Sequence, residues 1–303
     1  MHDLQASTGD QPPSNMVHQA STPAFDPARA PLIQPCQAGM GLALPPSRLN
    51  GAWVRQRFQH PPQLWTPESI SGLIHAAPKA APSADGVAVP PAALAVSQMA
   101  RVPQKVGQAV EAQPQTWGPS GALLRATPIP AAVLVPLIPC EEGLGVLLTV
   151  RSHQLRKHRG QIAFPGGRID AEDASPEAAA LREAHEEIGL ARESVEVLGA
   201  LPWMETGTGF RVRPVVGMLH ESVQPAQLAL AEAEVAELFI VPLAFLMNPG
   251  HHQRRLASWQ QGPEQVQRAF YAMPWRNPAG REYFIWGATA FMLRNLYHFL
   301  AAD

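Results

Sequence analysis

The chain has 303 residues, 46% of them hydrophobic, and a formal net charge of -2. Its length suffices for one large domain or two small ones. The near-neutral charge excludes the bulk basic field of a nucleic-acid binder, and two cysteines, Cys36 and Cys140, exclude a disulfide framework or a thiolate metal site.

The first residues, MHDLQASTGDQPPSNM, lack the apolar core of a secretory leader. No run of about 18 apolar residues follows, so a cytosolic protein is expected. Twenty of the 32 prolines fall in the first 130 residues, which sets this part apart. Residues 1–127 therefore read as a Pro/Ala-rich, mostly disordered N-terminal region. Within it, Ala52 to Gln59 can form a short helix lying on the main domain. Ala76 to about Pro119 reads as a linker. Deleting residues 1–47 is expected to change little.

From Pro128 the texture changes. Ala131 to Ile138 (AAVLVPLI) is a nearly continuous apolar run, as a buried strand requires. Glu141-Glu142-Gly143 is a turn, and Val146 to Val150 the next strand. Ser175, Pro176 and Gly189 are an N-cap, a first-turn proline and a C-terminal stop, so the pattern predicts a helix over Pro176–Ile188. Val195–Leu201 and Val212–Leu219 read as strands, with Trp203–Arg211 between them as a loop. Val235–Val241 is a further strand, and Pro242 starts a short helix through Met247. Arg254–Trp275 reads as a hairpin-like insertion, Arg281–Trp286 as a late strand, and Gly287–Ala301 as an apolar-faced helix. Strands and helices interleave, which predicts an α/β or α+β domain over residues 128–303, with a mixed sheet between helices.

The chemistry concentrates between Leu147 and Leu190. Glu183, Glu186 and Glu187 fall at i, i+3, i+4 and share one helix face. Three like charges on one stripe are usually a solvated surface; a hard cation such as Mg²⁺ or Mn²⁺ would relieve their repulsion. Phe164-Pro165-Gly166-Gly167 lies just upstream, where a glycine pair lets backbone approach a ligand closely. Arg182, one turn before Glu186, can fix a carboxylate by a forked ion pair. Arg151, Arg156, Lys157, His158 and Arg159 gather cationic groups suited to phosphate. Trp203, Phe210 and Trp286 can stack on a base but are more often core.

The run from Gly167 resembles the Nudix box, G-x5-E-x7-R-E-U-x-E-E-x-G-U, U being a bulky apolar residue. Gly167, Arg182-Glu183-Ala184, Glu186-Glu187 and Gly189-Leu190 fill it. Asp173 stands in the first acidic position, with one extra residue before Arg182, and Ala184 is smaller than usual. Leu147-Leu148-Thr149, Arg151-Ser152, Arg156, Gly160 and Phe164-Pro165-Gly166-Gly167 are similar to the signature of the coenzyme A pyrophosphatase branch, which also carries the longer acidic loop.

The resemblance implies an α/β/α sandwich with a mixed sheet and a Mg²⁺- or Mn²⁺-dependent pyrophosphatase. It implies Glu186 and Glu187 as metal ligands and Glu183 as ligand or base. Gly167 would contribute a carbonyl, and a later acid would join them, Glu234 being preferred over Glu232 and Glu237. Arg151, Arg156, His158 and Arg159 would bind substrate. The expected substrate is coenzyme A or a derivative, cleaved to 3′,5′-ADP and 4′-phosphopantetheine. ADP-ribose or a dinucleotide is the alternative. A non-catalytic nucleotide-binding domain is a further one, disfavoured because all three helical Glu are present. Neither nucleic acid nor membrane is an expected partner, and assembly as a homodimer is left open.

Overall fold

A computed structural model describes residues 25–34, 41–68, 74–76, 127–261 and 264–303. The linker stretch beyond residue 76 and most of the expected disordered head lie outside these residues.

The apolar run near Ala131 forms strand β3 (Ile129–Cys140), the longest strand of an eight-stranded sheet. The turn at Glu141-Glu142 leads into β4 (Gly143–Arg151), antiparallel to it. Further along β3 the same edge pairs with β6 (Gly166–Arg168), while a two-residue strand, β5 (Ile162–Ala163), pairs with β4. The other edge of β3 pairs in parallel with β9 (Phe210–Leu219), and β9 pairs with β7 (Val195–Ala200). Strand β10 (Val235–Pro242) closes the far side against β4. The region read as a loop contains a short strand, β8 (Met204–Glu205), paired with β9.

The two faces of this sheet bury different partners because strand side chains alternate. Ala132, Leu134, Val215 and Leu219 pack under helix α2 (Pro176–Ile188). Its bounds follow from local chemistry. The Ser175 hydroxyl accepts the Ala178 N–H at 3.2 Å, and Gly189 sits at φ 68°, a backbone that glycine adopts without strain. The opposite side chains, Ala131, Val135, Val212 and Val216, face helix α4 (Gly287–Ala301) and part of a second sheet. A short helix, α3 (Leu243–Leu246), follows β10 and joins this core. The architecture is thus a mixed α+β fold with the main sheet between helices.

The second sheet is built on the long hairpin β11 (Gln253–Gln261) and β12 (Glu264–Arg276), continued by β13 (Glu282–Trp286). Two strands of the N-terminal region complete it: β1 (Leu32–Gln34) pairs with β11 and β2 (Ile74–Ala76) with β12. Phe25 meets Phe270 and Trp286 edge-on at 6.1 and 6.2 Å, and Ala30 is buried. Deletion of residues 1–47 would therefore expose apolar surface and strip a sheet edge, contrary to the expectation from composition. A three-residue strand and two apolar anchors are too little to register as a pattern among prolines.

Helix α1 (Gly51–Gln59) is capped by the Asn50 side chain and lies on β7, with Phe58 over Gly199 and Arg55 paired to Glu196 at 2.6 Å. The chain then crosses α4. Glu68 accepts from buried Arg294 at 3.2 Å and lies 2.8 Å from His298, and Asn295 accepts the Glu68 N–H at 2.8 Å. Arg294 also lies 3.1 Å from the ring of fully buried His252, whose other nitrogen meets the Leu246 carbonyl at 2.7 Å.

Candidate active site

The site grows from the contact between α2 and β6. A Cβ added at Gly167 would lie 2.6 Å from Glu183 Cδ and Oε1, so only glycine lets this carboxylate rest on the strand. Glu187, one helical turn on, accepts the Gly166 N–H at 3.1 Å through Oε2. The two carboxylates therefore sit side by side on the Gly166-Gly167 backbone.

Their electrostatics are unfavourable as they stand. Burial pushes the Glu187 carboxyl up to about 7; Gly166 and Arg151 oppose the rise, while Glu183 and Glu234 add to it. Burial also raises Glu183, partly offset by Arg182, with Glu186 and Glu234 raising it further. Glu234 thus belongs to the field of the pair. Glu237 does not: it accepts the Tyr283 hydroxyl at 2.6 Å and pairs with Arg281 at 2.5 Å. Glu232 is exposed.

Arg182 is the hub of the acidic loop. Its guanidinium makes a two-pronged contact with Asp173, Nε to Oδ1 at 3.0 Å and Nη2 to Oδ2 at 2.8 Å. Nη1 also donates to Glu183 at 2.9 Å and to Glu186 at 3.0 Å, and Nη2 to the Arg168 carbonyl at 3.1 Å. The hydrogen bond from Arg182 draws the Asp173 carboxyl down to about 2. Asp173 is accordingly the anchor of Arg182. The predicted fork exists, but its bidentate partner is the loop acid rather than a helical Glu.

The basic run divides. Arg151 ends β4 and brings Nη1 to 4.0 Å from Glu187, and its Nε is buried without a hydrogen-bond partner among the described residues. Arg156, Lys157, His158 and Arg159 are exposed on the loop beyond. That loop is closed by backbone bonds between Arg151 and Gly160–Gln161. His158 holds a left-handed backbone, φ 58°, with its ring 2.9 Å from the Gln161 side chain. The signature contains Thr149 without assigning it a role; its buried hydroxyl donates to the Ala163 carbonyl at 3.1 Å and ties β5 to β4. A hydroxyl inside an apolar strand was the signal.

Among the aromatic candidates, Phe210 packs on the large core and Trp286 on the N-terminal segment, whereas Trp203 is 36% exposed.

These residues fit a hard divalent cation. Two repelling carboxylates lie over a strand whose glycine leaves a cradle that a Cβ would fill, and all the donors are oxygen. Glu186 is 55% exposed and turned to Arg182. Among the described residues no three acidic, histidine or cysteine side chains gather tightly enough to enclose an ion as they stand.

The NUDIX domain model matches residues 128–260. The uncharacterized Nudix hydrolase NudL of Enterobacter sp. (strain 638) is 40% identical over 177 residues, covering 55% of this chain and 80% of that protein. The chain belongs to the Nudix hydrolase family. The uncharacterized NudL of Citrobacter koseri is 42% identical over 167 residues, with the same coverage. Among solved structures, RenU, a Nudix hydrolase from M. smegmatis, is 27% identical and covers 43% of this chain and 80% of its own, with a TM-score of 0.34. Among the described residues no helix of this Nudix hydrolase is long and apolar enough to cross a membrane.

Proposed function

We propose that this Nudix hydrolase is the coenzyme A pyrophosphatase its loop signature suggests. It cleaves the diphosphate bond of coenzyme A or a derivative to 3′,5′-ADP and 4′-phosphopantetheine, in the cytosol. The observation that carries this reading is the closure of the signature around the carboxylate pair. Arg151, from its first half, stands 4.0 Å from Glu187, and Gly166-Gly167, from its second, supports Glu183 and Glu187.

In this reading Glu183, Glu186 and Glu187 hold Mg²⁺ or Mn²⁺ with the Gly167 carbonyl, and Glu234 supports them. When bound, such an ion neutralises phosphate charge and acidifies a coordinated water. Arg151 takes up charge on the diphosphate, where a desolvated guanidinium is worth most. Arg182 keeps Glu183 and Glu186 in place while itself anchored by Asp173. Arg156, His158 and Arg159 contact the substrate from the loop. Glu183, packed against Gly167, serves either as one of the metal ligands or as the base that accepts a proton from the attacking water.

Product analysis with coenzyme A, ADP-ribose and diadenosine polyphosphates side by side tests the proposal. Coenzyme A should be cleaved fastest, releasing 3′,5′-ADP. Faster cleavage of ADP-ribose or of a dinucleotide overturns it.

A further inference from the structure

The sheet carries a second cationic feature outside the Nudix box. Arg211 and Arg213 alternate along β9 with Val212, so both project on the α2 side, as Val215 and Leu219 do. Trp203, preceding β8, holds both: the guanidinium carbons lie 5.1 and 5.7 Å from its ring centroid. Such contacts order two long side chains that would otherwise be mobile. Among the described residues neither guanidinium has a carboxylate or hydrogen-bond partner, and Glu205, opposite Arg211 in the hairpin, does not pair with it. Two positive charges fixed side by side with no anion are an incomplete structure.

Register places this pair beside the carboxylates. On β3, Ala132 is flanked by Gly167 on one edge and Arg213 on the other. Pro130 is flanked by Arg211 and by Ile169, whose N–H donates to the Pro130 carbonyl. Two strand spacings, about 10 Å, separate Gly167 from Arg213. That is the reach of a nucleoside plus one arginine side chain.

We infer that Arg211 and Arg213, ordered by Trp203, form a phosphomonoester subsite that selects substrates bearing a phosphate on the ribose in addition to the diphosphate. The inference rests on the proposed reaction for its substrate, the 3′-phosphate of coenzyme A being such a group. The exposed arginines of the 151–159 loop then serve the diphosphate end. Arg211 and Arg213 touch the substrate, whereas Trp203 is a positioning residue.

The test compares kcat/KM for coenzyme A and dephospho-coenzyme A in wild type, Arg211→Gln, Arg213→Gln, Trp203→Ala and Trp203→Phe. Wild type should prefer coenzyme A. Each Arg variant should slow coenzyme A by about tenfold or more, the worth of one charge-assisted contact, and leave dephospho-coenzyme A unchanged. Trp203→Ala should weaken the preference and Trp203→Phe restore it. Equal rates on both substrates in wild type, or parallel losses in the Arg variants, overturn the subsite. Calorimetric binding of 3′,5′-ADP against 5′-AMP separates this inference from the proposed reaction. Should coenzyme A not be cleaved, tighter binding of 3′,5′-ADP that Arg213→Gln abolishes upholds the subsite alone. Equal binding of the two nucleotides removes it.

Discussion

Two clusters of buried charge in this molecule behave in opposite ways. Around α4, Arg294 is 3% exposed yet fully partnered, by Glu68 and His252. Burial alone would raise the Glu68 carboxyl, but the His298 hydrogen bond and the Arg294 charge outweigh it and bring it to about 2. Around α2, Glu187 is equally buried, but its nearest cation stands 4.0 Å away and its carboxyl rises to about 7. The first cluster is completed by the chain and fastens the segment after α1, which carries Glu68, onto α4. The second is short of positive charge, a condition a cationic ligand would satisfy and the chain does not. Burial by itself decides neither role; the balance of partners does.

Arg294→Met tests the balanced cluster most severely. Leaving Glu68 and His252 without their cation should cost about 3–5 kcal/mol of unfolding free energy, measured by urea titration, while the folded fraction keeps its activity. A loss of activity with intact stability would reverse the comparison. Glu187→Gln tests the unbalanced one: kcat should fall about 10²–10³-fold, while the melting temperature holds or rises because a buried charge is gone. A drop in both would make Glu187 a structural group.

Acid should separate the clusters next. Burial lowers His252 to about 4 from an ordinary 6.5, with the Leu246 carbonyl opposing and Arg294 adding to the shift. The unfolded chain therefore binds the proton first, and stability present above pH 6.5 is lost as pH falls towards 4, by about 3 kcal/mol. Glu68, depressed from 4.5 to about 2, adds a loss that begins below pH 4.5. Unfolding free energies at neutral and acid pH should show a flatter profile in His252→Gln than in wild type. The smallest effect belongs to a pair on the surface. Glu282 and Arg276, 53% and 64% exposed, sit 2.9 Å apart, and Glu282→Gln should shift stability by less than about 1 kcal/mol.

Much of this was legible in the sequence wherever the determining chemistry is local. Ser175, Pro176 and Gly189 bound α2 at both ends, and an unbroken apolar run marks β3. Gly287–Ala301 and the hairpin insertion stand where the pattern placed them. The parts that were not legible depend on distant partners. Gly166–Arg168 carries no strand pattern and becomes β6 only because β3 offers an edge. Glu234 and Glu237 look alike in AEAEVAEL, and Tyr283 and Arg281, more than forty residues on, separate them. Arg211 reads as a loop residue and Arg213 as an ordinary strand residue until β8 and β9 pair and bring Trp203 against both.

Strand β1 has a bearing on solution behaviour. It covers the first part of the β11 rim, from Arg254 to Leu256, whose backbone donors and acceptors would otherwise face water. A fragment cut at residue 128 would keep every residue of the carboxylate site, yet expose that rim together with the apolar patch under Phe25. Such an edge pairs readily with its own copy, so the fragment should precipitate or form oligomers at concentrations where the longer chain stays dispersed. Leu32, Ile33 and Gln34 thus act as a guard against self-association, and trimming this protein for crystallisation or assay should begin no later than residue 24.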